Sequence, residues 1–249
     1  MSTVLETQAL SRSFGGFNAV SDVSLSIREG EFYALIGPNG AGKSTLFSLL
    51  SGFLPPSSGR VLLRDLDITG RPPAEIARRG LVRSFQISAL FPEMTVRENL
   101  RIPLMREAGI ATRPWLSHRS LAQFDDRVLA LAAQVGLEDQ VDAVAGTMSY
   151  GRRRALELAT TLALDPDVLL LDEPLAGMGA EDVARIAELI RSVGRDRTVV
   201  MVEHNLSVVA DLCDRITVLQ RGRELTTGTY DLVSADPRVR SAYMGEVDA

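Results

Sequence analysis

Cysteine and long apolar segments are scarce in this sequence. It contains one cysteine in 249 residues, Cys213, and the apolar residues around it predict a small core side chain rather than a reactive thiol. No apolar run approaches the ~18 residues that a membrane-spanning helix needs, and the N-terminal segment lacks the apolar region of a signal peptide. The net charge of −5 argues against nucleic acid as the main partner. These absences lead us to expect a cytoplasmic protein.

Lysine is also scarce. Of 27 basic residues, 26 are arginine and Lys43 is the single lysine. An ammonium group is a compact point charge, whereas a guanidinium is a wide planar fork. Because a site enclosed by backbone admits only the ammonium, we expect Lys43 to occupy such a site.

Short apolar segments separated by helical patterns predict an α/β fold. The segments FYALIG, DVLLLDE and RTVVMVEH have the length and composition of buried parallel strands, and RITVLQRGRELTTG is hairpin-like. Residues 87–165 carry helical spacing and predict a mostly helical insert. We expect a single domain over residues 1–249, in which 1–86 and 166–249 form the α/β core and helices such as Val183–Ser192 cover its sheet.

A glycine-rich loop follows the first of these strands. The sequence GPNGAGKST matches the pattern G-x-x-x-x-G-K-[ST] between a predicted strand and a helix predicted for Lys43–Leu50. Glycines allow successive backbone N–H groups to face phosphates, Lys43 reaches the β- and γ-phosphates, and the Ser44 hydroxyl can ligate Mg²⁺. The motif predicts a nucleotide-binding site formed by Gly37, Pro38, Asn39, Gly40, Ala41, Gly42, Lys43, Ser44 and Thr45.

Polar residues follow two other predicted strands. Asp172 and Glu173 come directly after the apolar run Val168–Leu171, and ligands lie at such strand ends in open α/β sheets. We expect Asp172 to hold Mg²⁺ and Glu173 to orient and polarise an attacking water. His204 follows the strand in RTVVMVEH. A lone histidine is more often structural than catalytic, but this position favours a catalytic role on the γ-phosphate side.

A second anion site is predicted far from the first. Ser149, Tyr150 and Gly151 lead straight into a helical pattern, and the N-terminus of a helix binds anions through its free N–H groups. The simpler interpretation is that Ser149 is a plain N-cap.

The motifs GPNGAGKST, SYGRR, LLLDEP and EHN, in this order, resemble those of the nucleotide-binding subunit of an ATP-binding-cassette transporter. The resemblance covers essentially the whole chain. GFNAVSDVSL, IARRGLVRSFQ and LFPEMTVRENL are similar to segments of importer subunits for branched-chain amino acids. The resemblance implies a P-loop NTPase core, a small N-terminal antiparallel β-subdomain and an inserted helical subdomain.

The resemblance also implies roles for residues that the patterns alone leave unassigned. Phe14 matches the aromatic that stacks on adenine, with core packing as the alternative. Gln86 matches the glutamine that contacts Mg²⁺ and the attacking water. Ser149 and Gly151 would contact the γ-phosphate of a nucleotide held by a second subunit.

The same resemblance places a docking surface for a permease at Ile87–Val96. Leu90, Phe91 and Met94 suit an apolar surface of this kind, and a buried subdomain core is the alternative. The expected partners of the protein are a second ATP-binding subunit, identical or not, transmembrane permease subunits and, indirectly, a solute-binding protein. The subunit would lie on the inner face of the bacterial cell membrane.

Two positions depart from the family pattern. The signature usually reads Leu-Ser-Gly-Gly-Gln, and here Arg152 stands in place of the glutamine after Met148-Ser149-Tyr150-Gly151. In the loop after Glu173, Gly179 stands where an aspartate is frequent, so the role of that aspartate in communication between subunits cannot be transferred to this chain.

These expectations combine into an ATPase that uses ATP and Mg²⁺ to power import. Within the same class, a urea or amide importer and the lipopolysaccharide-export ATPase are alternatives. A soluble ATPase of DNA repair or translation is the alternative from a different class, but such proteins usually fuse two cassettes or insert long coiled coils. The interpretation as a GTPase has even less support, because Lys43 is the only lysine and cannot also supply an Asn-Lys-x-Asp motif that recognises guanine.

Overall fold

The strands form two sheets. The computed structural model describes residues 2–84, 90–109 and 121–244. The strands in those ranges are β1 (Thr3–Phe14), β2 (Phe17–Val23), β3 (Ser26–Arg28), β4 (Phe32–Ile36), β5 (Ser58–Leu63), β6 (Leu66–Asp67), β7 (Leu81–Arg83), β8 (Val168–Asp172), β9 (Thr198–Val202), β10 (Arg215–Gln220) and β11 (Arg223–Gly228).

The first sheet is antiparallel and confirms the expected N-terminal β-subdomain. Its strand order is β2-β1-β5-β6, and β3 pairs with β1. The alternation that predicted these strands is also seen in their burial, since Val23, Leu25 and Ile27 are each buried while their polar neighbours are more exposed. One face of this sheet therefore contributes to the core.

The second sheet has the order β11-β10-β4-β9-β8-β7. Strands β10, β4, β9, β8 and β7 are parallel, and β11 pairs antiparallel to β10 as the hairpin-like pattern predicted. Every residue of β8 and of β9 is buried, which explains why these segments read as continuous apolar runs. The α/β prediction is confirmed.

The described ranges also contain α-helices. The first, α1, spans the predicted range Lys43–Leu50. No helix among the described residues is long and apolar enough to cross a bilayer. The other helices are α2 (Pro73–Arg78), α3 (Val96–Glu107), α4 (Asp125–Gln134), α5 (Tyr150–Leu162), α6 (Ala180–Val193), α7 (Leu206–Leu212), α8 (Tyr230–Ala235) and α9 (Pro237–Met244).

The chain divides into two compact units. The first comprises residues 1–83, 167–175 and 194–249, and holds both sheets. The second comprises 84–166 and 176–193. It differs from the predicted insert by including α6, which the sequence pattern had assigned to the α/β core. The reason is local packing within the second unit, where Gly151 of α5 lies against Asp182 and Arg185 of α6.

Cys213 corrects one expectation. It lies at the C-terminal end of α7 and is only partly buried, so it is not the core residue that its apolar neighbours predicted. Burial nevertheless raises the pKa of its thiol to about 12, and the thiolate is the reactive form of cysteine. The rejection of a reactive thiol therefore stands for a different reason.

Candidate functional site

Three neighbouring parallel strands end at one edge of the second sheet. Leu35 of β4 pairs with Val202 of β9, and Asp172 of β8 pairs with the same Val202. Because the three strands end at nearly the same height, the residues that follow them meet at the carboxyl edge of the sheet, where ligands bind in such folds. This edge brings together, within the first unit, the glycine-rich loop, Asp172 with Glu173, and His204.

Two glycines fix the path of the loop between β4 and α1. Gly37 has φ +146 and Gly42 has φ +99, conformations that other residues rarely adopt. A Cβ at Gly37 would overlap the carbonyl oxygen of Leu219, and one at Gly42 would overlap that of Ala19. The loop therefore packs directly on neighbouring backbone, and only glycine allows that approach.

Lys43 is the enclosed lysine that the composition predicted. It is 6% exposed, and its Nζ donates to the carbonyl oxygens of Gly37 at 2.6 Å and Pro38 at 2.9 Å. The backbone of the loop thus holds the ammonium group at the N-terminal end of α1, where helix N–H groups and the helix dipole also favour an anion.

Asp172 is held by an arginine that the motif analysis did not single out. Arg83 Nη2 lies 2.6 Å from Asp172 Oδ2, and the two side chains are 13% and 1% exposed. Arg83 Nη1 also donates to the hydroxyl of Ser48 in α1 at 3.1 Å. The ion pair therefore ties β7, β8 and α1 together beneath the strand ends.

The oxygen atoms around Asp172 fit a hard cation. Among the described residues, Asp172 Oδ1 is buried and has no hydrogen-bond partner. The exposed Ser44 hydroxyl has no partner in that part of the chain either. Mg²⁺ is usually held by one or two carboxylates together with substrate phosphates and water, and Asp172 and Ser44 offer oxygen atoms of this kind.

Glu173 and His204 form a contact across the two strand ends. Glu173 Oε1 lies 2.7 Å from His204 Nε2, with side-chain exposures of 19% and 45%. Glu173 has φ +48, and a non-glycine residue stays in that region only where its surroundings hold it. One such restraint is the hydrogen bond from the Glu173 N–H to the Val202 carbonyl at 3.0 Å.

Two residues near this edge were missed by sequence reasoning. Arg83 follows only two apolar residues in β7, so its position at a strand end gave a weak signal. Glu203 gave a clearer signal, because it directly follows the fully buried strand β9, just as Asp172 and Glu173 follow the apolar residues of β8. The rule that found the Asp-Glu pair would have found Glu203 as well.

Phe14 ends β1 with its ring partly open to solvent. It is 44% exposed, so the core-packing alternative is wrong. The guanidinium of Arg12 lies over the ring at 4.7 Å from its centroid, and Arg12 in turn donates to the carbonyl of Pro55 at 2.8 Å. The structure offers an exposed aromatic surface that is held in place on one side by a cation.

Within the second unit, Ser149 is the N-cap residue of α5. Its position agrees with the plain N-cap interpretation, but its side chain makes no capping hydrogen bond and has no partner among the described residues. The neighbouring Tyr150 hydroxyl donates to the Ala176 carbonyl at 3.0 Å, and the guanidinium of Arg154 lies 5.5 Å from the Tyr150 ring centroid. The tyrosine is fixed while the Ser149 hydroxyl is left available.

The two departures from the signature pattern lie on the surface of this unit. The Arg152 side chain is exposed and has no ion pair or hydrogen bond with described residues. A Cβ added at Gly179 would meet nothing within 4 Å. Neither position is therefore constrained by packing within the second unit.

The expected docking segment is only partly described. Gln86 and residues 87–89 lie outside the described ranges. Phe91 and Met94 are 49% and 37% exposed, so the buried-core alternative is wrong for these two side chains. Asn99 of α3 restrains the segment, because its Nδ2 donates to the carbonyls of Phe91 at 3.1 Å and Thr95 at 2.9 Å.

Comparisons with known proteins find relatives over most of the chain. The family model described as ABC transporter matches residues 20–176. The high-affinity branched-chain amino acid transport ATP-binding protein LivG of Escherichia coli (strain K12) is 37% identical over 251 residues, with 98% of each chain covered. The lipopolysaccharide export system ATP-binding protein LptB of Acidithiobacillus ferridurans is 34% identical, with 99% of this chain and 98% of that protein covered. Among solved structures, the ADP conformation of MJ1267, an ATP-binding cassette of an ABC transporter, matches with a TM-score of 0.85 and 29% identity over 98% of this chain and 100% of that one.

Proposed function

Because the chain belongs to the ABC transporter family, as an ATP-binding cassette that hydrolyses ATP, we propose that it drives the import of branched-chain amino acids. The proposed working form is a dimer of cassettes bound to transmembrane permease subunits on the inner face of the membrane, and it acts on solute delivered by a binding protein. The assignment of the solute rests on the 37% identity to LivG over nearly the whole of both chains. The lipopolysaccharide-export alternative is less favoured at 34%, and no observation favours a urea or amide importer.

The observation that carries the catalytic proposal is the 2.7 Å contact between Glu173 and His204. It lies at the carboxyl edge of the second sheet, where the glycine-rich loop begins. Lys43 and the backbone N–H groups of the loop bind the phosphates, and Phe14 stacks on adenine. The carboxylate of Glu173 accepts a hydrogen bond from the attacking water and orients it, while the His204 imidazole fixes that carboxylate and faces the γ-phosphate. Ser44, Asp172 and Gln86 would hold Mg²⁺, which when bound would neutralise charge on the β- and γ-phosphates.

The dimer explains the second anion site. Ser149 and the N–H groups near Gly151 contact the γ-phosphate of ATP held by the partner subunit, so ATP stabilises the closed dimer and hydrolysis releases it. The available Ser149 hydroxyl supports this proposal. Closure is passed to the permease through the segment that includes Phe91 and Met94.

The catalytic proposal is tested by Glu173→Gln. We expect steady-state ATP hydrolysis to fall ~10²–10⁴-fold while ATP affinity is retained, because the amide cannot act as the base but keeps the shape of the side chain. Glu138→Gln is the matched control, since Glu138 is an exposed glutamate in a short 3-10 turn and its loss should leave turnover unchanged. Equal rates for Glu173→Gln and wild type would remove Glu173 from its role.

The transport proposal needs a separate experiment. The cassette should co-purify with permease subunits encoded beside it, and proteoliposomes with the binding protein should take up labelled leucine, isoleucine or valine when ATP is enclosed. Uptake of urea instead of these amino acids would contradict the assigned solute. Failure to associate with any membrane subunit would support a soluble role.

A further inference from the structure

Glu203 is a buried glutamate at the carboxyl edge of the second sheet, and the proposed mechanism gives it no role. It lies between β9 and His204 and is 3% exposed. Burial raises the pKa of its carboxyl group, although backbone hydrogen bonds oppose this effect. A buried carboxyl group is costly unless its oxygens are satisfied, so its hydrogen bonds indicate what it does.

The two oxygens of Glu203 bind two different loops. Oε1 accepts a hydrogen bond from the N–H of Leu175 at 3.0 Å. Oε2 accepts one from the N–H of His204 at 3.1 Å, with the N–H of Asn205 farther away at 3.5 Å. Leu175 lies two residues after Glu173, so this one carboxylate links the loop that follows β8 to the loop that follows β9.

These loops carry the two side chains that meet at 2.7 Å. Glu173 has φ +48, a backbone conformation that persists where the surrounding structure holds it. The hydrogen bond from the Glu173 N–H to Val202 restrains it from one side. The bond from the Leu175 N–H to Glu203 restrains the chain just beyond it, while the bond from the His204 N–H fixes the backbone that presents the imidazole.

We propose that Glu203 is a positioning residue, whose carboxylate sets the separation of Glu173 and His204 without touching ATP. The proposal rests on the catalytic roles given above to those two residues. A displacement of about 1 Å between reacting groups can cost on the order of 10²-fold in rate. The role therefore predicts a loss in kcat, whereas the binding of ATP depends on the glycine-rich loop and should be preserved.

The test compares Glu203→Gln with Glu31→Gln. The amide of Glu203→Gln has the same shape but must turn one N–H₂ group toward a backbone N–H, so one of the two links is lost. Glu31 is also a buried glutamate of the first unit, at 8% exposure, but it precedes β4 and pairs with Arg215 at the opposite edge of the sheet. We expect Glu203→Gln to lower kcat per folded molecule at least 10-fold with the Kd for ATP within 3-fold, and Glu31→Gln to leave both unchanged.

A double-mutant comparison separates positioning from general stability. In a His204→Ala background, adding Glu203→Gln should lower kcat less than 2-fold further, because the contact that it positions is already absent. A purely structural role would give the same fold-loss in both backgrounds. That result would overturn the proposal, as would an unchanged kcat in Glu203→Gln itself.

A spectroscopic readout distinguishes failure of this inference from failure of the proposed mechanism. The chain has two histidines, so the ring signals of His204 can be assigned by substitution in ¹⁵N-histidine-labelled protein. We expect Glu203→Gln to move them toward their position in Glu173→Ala. If His204→Ala hydrolyses ATP at the wild-type rate, the mechanism given to His204 is wrong, and the ring signals still decide on Glu203. Ring signals that do not move would overturn the positioning role whatever the turnover.

Discussion

Replacing Arg83 with alanine should destabilise the protein far more than its position in a three-residue strand suggests. The substitution leaves the Asp172 carboxylate, 1% exposed, without the guanidinium 2.6 Å away. Removing one partner of a buried ion pair typically costs ~3–5 kcal/mol, because the other charge stays buried and uncompensated. The contacts of Arg83 with the rings of Phe47 and Phe53, at 5.8 and 6.0 Å, would be lost as well.

The chain offers a matched control in Arg64. Its Nη1 lies 2.7 Å from Asp167, almost the same separation, but the two side chains are 51% and 47% exposed. An exposed pair contributes ~0–1 kcal/mol because solvent screens it. Arg64→Ala and Arg83→Ala therefore remove an arginine–aspartate contact of similar length from two different environments, and Arg64→Ala also removes an exposed contact with Glu29 at 3.3 Å.

Thermal unfolding without nucleotide and with a chelator, followed by far-UV circular dichroism, measures the difference. For a chain of this size ~1 kcal/mol corresponds to a shift in Tm of roughly 2–4 °C. Arg83→Ala should thus lower Tm by roughly 6–20 °C and Arg64→Ala by no more than about 4 °C. The double substitution Arg83→Ala with Asp172→Ala should cost less than the sum of the single ones. Equal costs for Arg83→Ala and Arg64→Ala would refute the view that burial gives the pair its weight.

The other expectations concern binding, backbone strain, dimerisation and pH. Lys43→Ala should weaken ATP binding by ~1.5–3 kcal/mol, about 10- to 150-fold by titration calorimetry; unchanged affinity would contradict the phosphate role. Gly37→Ala should be less stable in urea than Gly40→Ala, since only Gly37 lies against Leu219 while both have positive φ, and equal losses would argue against that close approach. Ser149→Arg should abolish ATP-driven dimerisation on a sizing column while each monomer still binds ATP, and a surviving dimer would argue against the contact between subunits. The raised pKa of Glu203 means that wild type loses stability as pH rises from the ordinary value of 4.5 through the raised one; Glu203→Gln lacks this loss, so the stability advantage of wild type should shrink over that window, and an advantage that grows would contradict the assignment.

Much of the α/β framework could be predicted because one physical rule governs it. Parallel strands buried on both faces read as continuous apolar runs, and β8 and β9 are buried at every position. Polar residues that interrupt such runs at their ends mark the carboxyl edge, which is how Asp172, Glu173 and His204 were found. The glycine-rich loop was predicted from a local motif of its own.

What could not be predicted depends on contacts between distant segments. Arg83 pairs with a residue 89 positions away, and nothing in its local sequence reveals that partner. The amphipathic pattern of α6 shows which residues face a core, with Ile186 and Ile190 buried, but a helix periodicity does not state which unit supplies that core. Cys213 was misjudged for a similar reason, because its apolar neighbours are buried around it while it ends the helix.

The single lysine gains its meaning from the structure. Twenty-six basic positions carry arginine, so the composition of this chain strongly favours guanidinium wherever either cation would serve. At Lys43 the side chain is 6% exposed and its three-donor head lies against the carbonyls of Gly37 and Pro38 at 2.6 and 2.9 Å. The wider, planar guanidinium cannot lie between these two carbonyls unless the loop opens. Gly37 and Gly42 already hold that loop against neighbouring carbonyls. Lys43→Arg should therefore weaken ATP binding although it keeps the charge, and an arginine variant that bound ATP as well as wild type would show that charge alone, rather than the size of the site, retained the lysine.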